Sequence, residues 1–176
     1  MKFFIPFLKI SNNVFYKGKM KQEYKSLFSI AHDHFLGSIV AQLVKRGSPA
    51  MEGLPKTPEG KAKYAIHFYE QELENHFYLE EHILQPELKG VSKDIDKLLD
   101  GMIKQHREIE GIVKSLKNNN NLNNKLDKLG KALENHIKQE ESVLFPKIQE
   151  TLSRQELESL AKKLQASGYE FIFKYQ

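Results

Sequence analysis

The chain contains no cysteine. That removes disulfides, thiolate metal sites and Cys-ligated iron–sulfur clusters, so any bound metal must be held by His and carboxylates. No apolar run reaches the ~18–20 residues needed to span a bilayer. Nor is the composition that of a disordered chain. Of the 176 residues, 40% are hydrophobic and 28% charged, enough for one domain with its own core. Blocks of one charge are also missing. The net charge is +4, and Lys and Glu interleave along most of the length, as on solvated helix faces rather than a nucleic-acid-binding stripe. At the N-terminus, Met1-Lys2-Phe3-Phe4-Ile5-Pro6-Phe7-Leu8, the apolar core is short, broken by Pro6, and followed by Lys9 without a clear small-residue cleavage site. It reads as a packed arm rather than a signal peptide, and a cytoplasmic location is the expectation.

What is present is a motif written twice. Residues 76–86 read H-F-Y-L-E-E-H-I-L-Q-P, and residues 136–146 read H-I-K-Q-E-E-S-V-L-F-P. In each copy a His precedes a Glu by four residues, His76 before Glu80 and His136 before Glu140. On an α-helix that step goes ~40° past one full rotation, so both side chains share a face. An imidazole and a carboxylate on one face suit a transition metal, and two such helices facing each other suit two.

Four long segments carry helical period. The first runs from about Lys21 to Arg46, with Leu27, Ile30, Ala31, His34 and Ala41 near one face. After a Gly/Pro-rich stretch, Thr57-Pro58 supplies a cap and a first-turn proline for a second helix to about Gln85. Its inner stripe is Tyr69, Leu73, His76, Glu80 and Ile83, and Pro86 and Gly90 close it. Ser92 caps a third helix to about Lys117, with Ile95, Leu99, Met102, His106, Ile109 and Val113 inward. The fourth runs from about Lys125 to Thr151, with Leu126, Leu129, Leu133, His136, Glu140 and Val143 or Leu144 inward. Ser153-Arg154-Gln155-Glu156 is a capping box opening a short fifth helix. The expected fold is all-α: an up-down-up-down four-helix bundle over 21–152, an N-terminal arm over 1–20, and a short C-terminal helix and aromatic tail over 153–176.

Each long helix thus carries a His in or beside its apolar stripe: His34, His76, His106 and His136. Three carry a Glu four residues later: Glu80, Glu110 and Glu140. A carboxylate in an apolar interior is costly unless paired or metal-bound. Several at one level would repel one another, and divalent cations remove that repulsion. Imidazoles with carboxylates suit iron, manganese or zinc. Six or seven candidate ligands are too many for one four-coordinate zinc, and bridging carboxylates fit a di-iron or di-manganese bundle. Iron is favoured.

Asp33-His34, His76-x-x-x-Glu80-Glu81-x-x-Leu84-x-Pro86, His106 and His136-x-x-x-Glu140-Glu141-x-x-Leu144-Phe145-Pro146 together resemble the hemerythrin-like (HHE cation-binding) family, over residues from about 24 to 165. The resemblance implies a non-haem di-iron centre inside the bundle. His34, His76, His106 and His136 are its terminal ligands, Glu80 and Glu140 bridge, and an oxo or hydroxo group completes the bridge. O2, NO or peroxide are the small ligands such a centre meets. Oxygen-carrying hemerythrins have a second His one turn after the first on the third helix, where this chain has Glu110. If it ligates, Glu110 adds negative charge and favours the ferric state, which argues for redox, sensing or iron handling over reversible oxygen carriage. Otherwise it points aside. Glu81 and Glu141, one step past the bridging positions, are expected to orient imidazoles; Glu141 is an alternative to Glu140 as ligand. His67 and His82 are expected at the surface or in outer contacts, and His32 faces away from His34. A peroxide- or NO-reducing enzyme, or iron-cluster repair, is the alternative function.

Overall fold

Every element of the computed structural model is a helix; it describes residues 28–118 and 120–174, and among them there is no strand. The expected N-terminal arm, the opening turns of the first helix and the His32 side chain lie outside the described residues. So do the aromatic side chains of the C-terminal tail.

Helix α1 is Phe28–Val44. Helix α2 covers residues 58–88 as consecutive pieces: α over Pro58–Phe68, a π-turn at Tyr69–Leu73, α over Glu74–Leu79, a π-turn at Glu80–Leu84, and α over Gln85–Leu88. Helix α3 is Lys93–Ser115. Helix α4 covers residues 122–151: α over Leu122–Gln139, a π-turn at Glu140–Leu144, and α over Phe145–Thr151. Helix α5 is Arg154–Lys174.

The starts follow the local chemistry. Thr57 Oγ1 accepts from the Gly60 N–H at 3.1 Å with Pro58 behind it, and Ser92 Oγ accepts from the Ile95 N–H at 3.2 Å. Ser153 and Glu156 close a reciprocal capping box. Gly90, at φ +85°, takes the left-handed conformation that ends α2. Helix α5 differs from the expected short helix. Its backbone runs 21 residues, through most of the expected aromatic tail. Leu160 and Leu164 bury themselves in the core and anchor the helix there.

Two apolar clusters form the interior. The first gathers Val40, Leu43 and Val44 of α1, Phe68, Leu73 and Phe77 of α2, Ile109 and Val113 of α3, and Leu126, Leu129 and Leu133 of α4. The second gathers Leu79, Leu84 and Leu88 of α2, Leu99 and Met102 of α3, Leu144, Phe145 and Ile148 of α4, and Leu160 and Leu164 of α5. Each fully buried Leu contributes roughly 2 kcal/mol of transfer free energy. Along the chain, α2 runs from the first cluster into the second, α3 from the second to the first, and α4 from the first to the second. At the boundary all three carry polar residues, and α1 brings His34 to the same group.

The π-turns explain where the expected stripe slips. Proline lacks an N–H, and its ring crowds the carbonyl four residues back. One widened turn precedes Pro86 and another precedes Pro146. The Gln85 N–H bonds Glu80 O and the Phe145 N–H bonds Glu140 O, five residues back. The helices therefore continue through both prolines instead of stopping. The wide turn also absorbs one residue and so rotates the next stretch of helix about its axis. Leu84 and Leu144 take the inward places, Ile83 is only partly buried, and Val143 is 46% exposed. The π-turn at Tyr69–Leu73 has no such proline, and the structure supplies no reason for it.

Candidate metal centre

Six polar side chains are buried at the boundary between the clusters: His34, His76, Glu80, His106, His136 and Glu140. They come from four helices, each placed by the apolar residues flanking it on its own stripe. His106 lies between Met102 and Ile109, and His136 between Leu133 and Leu144, all buried. Aromatic rings hold two of the imidazoles. Phe77 stacks on His106 with centroids 3.9 Å apart, and Phe145 lies parallel to His34 at 5.7 Å.

The inward-facing atoms converge. His34 Nε2 is 2.9 Å from Glu140 Oε2, His76 Nε2 is 3.3 Å from Glu80 Oε1, and His106 Nε2 is 3.2 Å from Glu80 Oε2. None of these contacts has hydrogen-bond alignment. Nε2 of all four His and both oxygens of Glu80 and Glu140 are buried with no hydrogen-bond partner. Buried polar atoms are almost always satisfied, so eight orphans aimed at one volume are unusual. A cation is the partner that donates nothing and accepts lone pairs from all of them. Two overlapping four-ligand groups could hold an ion, His34, His76, His136 and Glu140, or Glu80, His106, His136 and Glu140, with ligand atoms within 4.8 Å in each and His136 and Glu140 common to both. The donor set of imidazoles and carboxylates fits iron, manganese or zinc.

The outer ring nitrogens are supported. His34 Nδ1 donates to Glu141 at 3.3 Å, His76 Nδ1 to Asp33 at 3.3 Å, His106 Nδ1 to Glu81 at 2.8 Å, and His136 Nδ1 to the Gln105 side-chain oxygen at 3.3 Å. With the proton on Nδ1, the lone pair of each Nε2 faces inward, as metal ligation requires. The contacts form a closed circuit. Asp33 of α1 supports a His of α2, Glu81 of α2 one of α3, Gln105 of α3 one of α4, and Glu141 of α4 one of α1.

Electrostatics in the absence of a cation show the strain of this packing. Burial disfavours charge on His34, but the carboxylates of Glu140 and Glu141 outweigh it and lift its pKa to about 10. Burial likewise opposes charge on His106, and Glu80 and Glu81 lift it to about 9. His136 is pushed well below its ordinary value, first by burial. Glu140 is raised to about 6 by burial and then by the charge of Glu80. Burial also opposes ionisation of Glu80, yet His76 and His106 hold it below the usual range. Without metal the group needs protons to balance its charge, and cations substitute for them.

Of the seven residues expected from sequence, six meet here and Glu110 does not. It is turned to Arg107, which pairs with both Glu110 and Glu81, and Lys114 sits 3.9 Å from it. Glu81 and Glu141 occupy the expected orienting positions. His67 and His82 are exposed, His82 stacking on Tyr78. Asp33, Gln105 and Arg107 had no assigned role from sequence. Asp33 and Gln105, like Glu81 and Glu141, are chain neighbours of an inward group. A polar residue ~100° round the helix from a ligand faces the adjacent helix, and that signal was available.

The site and fold define an all-helical protein with a buried His/Glu cluster suited to binding a metal cation. The model of the hemerythrin HHE cation-binding domain matches residues 31–148, and the chain belongs to that family. All six converging residues fall inside the match. No curated protein and no solved structure matches the chain.

Proposed function

We propose that this is a hemerythrin-like non-haem di-iron protein that binds or senses O2, NO or related oxidants, or handles iron. His34, His76, His106 and His136 are terminal ligands, and Glu80 and Glu140 bridge. The observation that carries this reading is the set of buried, partnerless ring nitrogens and carboxylate oxygens converging from four helices. An iron pair supplies one-electron redox chemistry and a Lewis-acidic position for a small ligand. The chain's own part is to hold the donors rigidly. Asp33, Glu81, Gln105 and Glu141 fix the tautomers. Phe77, Phe145 and the apolar clusters keep water from the donor atoms.

The alternating passage of α2, α3 and α4 between the clusters supports an up-down-up-down bundle for α1 to α4, with the helix Arg154–Lys174 appended to it. Glu110 is left out of the ligand set because its carboxylate is engaged by Arg107. No helix among the described residues is long and apolar enough to cross a membrane.

Metal content and an optical spectrum, taken reduced and then in air, test the proposal. Two iron ions per chain, with near-ultraviolet charge-transfer absorption that bleaches on reduction, are expected. Protein purified without chelator and carrying no transition metal overturns it.

A further inference from the structure

The four outer acceptors are not equivalent. His34, His76 and His106 donate from Nδ1 to carboxylates, those of Glu141, Asp33 and Glu81. His136 Nδ1 has its hydrogen bond with a neutral amide, Gln105; the Glu140 carboxylate lies 3.5 Å from the same nitrogen without hydrogen-bond alignment. Glu81 is shared with Arg107 but remains an anion; Gln105 has no charge at all. An anionic acceptor draws on the Nδ1 proton, pushes electron density toward Nε2 and makes the imidazole a stronger ligand, and charge-assisted hydrogen bonds are roughly twice as strong as neutral ones.

Gln105 also differs in being reversible. A carboxylate only accepts, whereas an amide presents oxygen one way round and nitrogen the other. If the amide turned over, its NH2 would face His136 Nδ1, the ring proton would move to Nε2, and the inward lone pair would be lost. In the arrangement present, Gln105 Nε2 donates to the side-chain oxygen of Gln139 on α4, which leaves the Gln105 oxygen facing His136. His136 and Glu140 are the two residues common to both four-ligand groups.

We propose that Gln105, oriented by Gln139, is the positioning residue that makes His136 the weakest-donating of the four imidazoles, so that the centre lets go first at His136. This rests on the di-metal reading above.

The test loads wild-type, Gln105→Glu, Gln105→Leu and Gln139→Leu protein with ferrous iron and follows metal release to a chelator and the reduction potential. In zinc-loaded protein, nitrogen-15 NMR reads the imidazole tautomers. Gln105→Glu is expected to release iron several-fold more slowly, to lower the potential, and to shift the His136 Nδ1 proton downfield. Gln105→Leu removes the acceptor and should weaken metal binding about 10- to 100-fold. Gln139→Leu should accelerate release in the same direction, and it decides the matter if Gln105→Glu does not fold. Release rates and potentials equal to wild type in all three, with only the melting temperature changed, overturn the proposal and leave Gln105 as packing. A wild-type protein that takes up no metal instead defeats the metal-centre reading itself, before any variant is compared.

Discussion

At the scale of single residues, function follows from which atom of each side chain faces which neighbour. His76 and Glu140 each direct a donor inward from a buried position. His76→Ala and Glu140→Ala are therefore expected to lose bound metal and unfold at lower temperature, because metal binding adds to folding free energy. Unchanged stoichiometry by elemental analysis in both would contradict the assignment. Glu110→Ala should keep full metal content and cost at most about 1 kcal/mol, the usual scale of a solvent-accessible ion pair. Loss of an ion in that variant would restore Glu110 as a ligand. The shifted histidines predict a pH dependence. In metal-free protein His34 and His106 keep their protons up to pH about 10 and about 9, while the unfolded chain releases them near 6.5. The native state binds more protons across that window. The stability they contribute is complete below pH about 6.5 and is lost as pH rises through 9 and 10. Metal takes the place of those protons. The melting-temperature gap between loaded and stripped protein should widen as pH is raised from about 6.5 to about 9. A gap that stays constant or narrows would count against metal at His34 and His106.

At the scale of the element, long apolar periods were legible and local exceptions were not. The α3 stripe of Ile95, Leu99, Met102, His106, Ile109 and Val113 is buried as periodicity dictates, and the caps at Thr57, Ser92 and Ser153 form as their side chains dictate. The phase change after Glu80 and Glu140 was not legible. A Pro in a helical run signals a break from sequence, whereas here a widened turn accommodates it and moves Leu84 and Leu144 inward. Close approach between helices was equally hidden, because it depends on the partner. A Cβ on Gly130 of α4 would lie 2.6 Å from the Ala41 carbonyl oxygen and 2.5 Å from Lys45 Cγ of the neighbouring segment. Gly130→Ala should therefore destabilise by about 1–3 kcal/mol through overpacking. Gly111 of α3 has nothing within 4 Å of the same position. Gly111→Ala should stabilise by about 0.5–1 kcal/mol through helix propensity. Denaturant midpoints of the two variants check both; equal shifts would mean that α1 and α4 are not in close contact at Gly130.

At the scale of the whole molecule, two oily clusters sandwich a polar layer that neither can satisfy. The six inward groups were legible because His and Glu at one helical spacing, on the apolar stripes of several helices, would be too costly to bury together without a shared cation. The circuit of Asp33, Glu81, Gln105 and Glu141 was only partly legible, since each member acts on a helix other than its own. Its one neutral member is invisible until the helices are assembled. Anomalous scattering at the iron edge from crystals of the metal-loaded protein tests the central claim most directly. Two peaks roughly 3.5–4 Å apart, enclosed by the Nε2 atoms of His34, His76, His106 and His136 and by the carboxylates of Glu80 and Glu140, are the predicted result. No peak in that layer, or iron bound only to exposed carboxylates elsewhere, would contradict it.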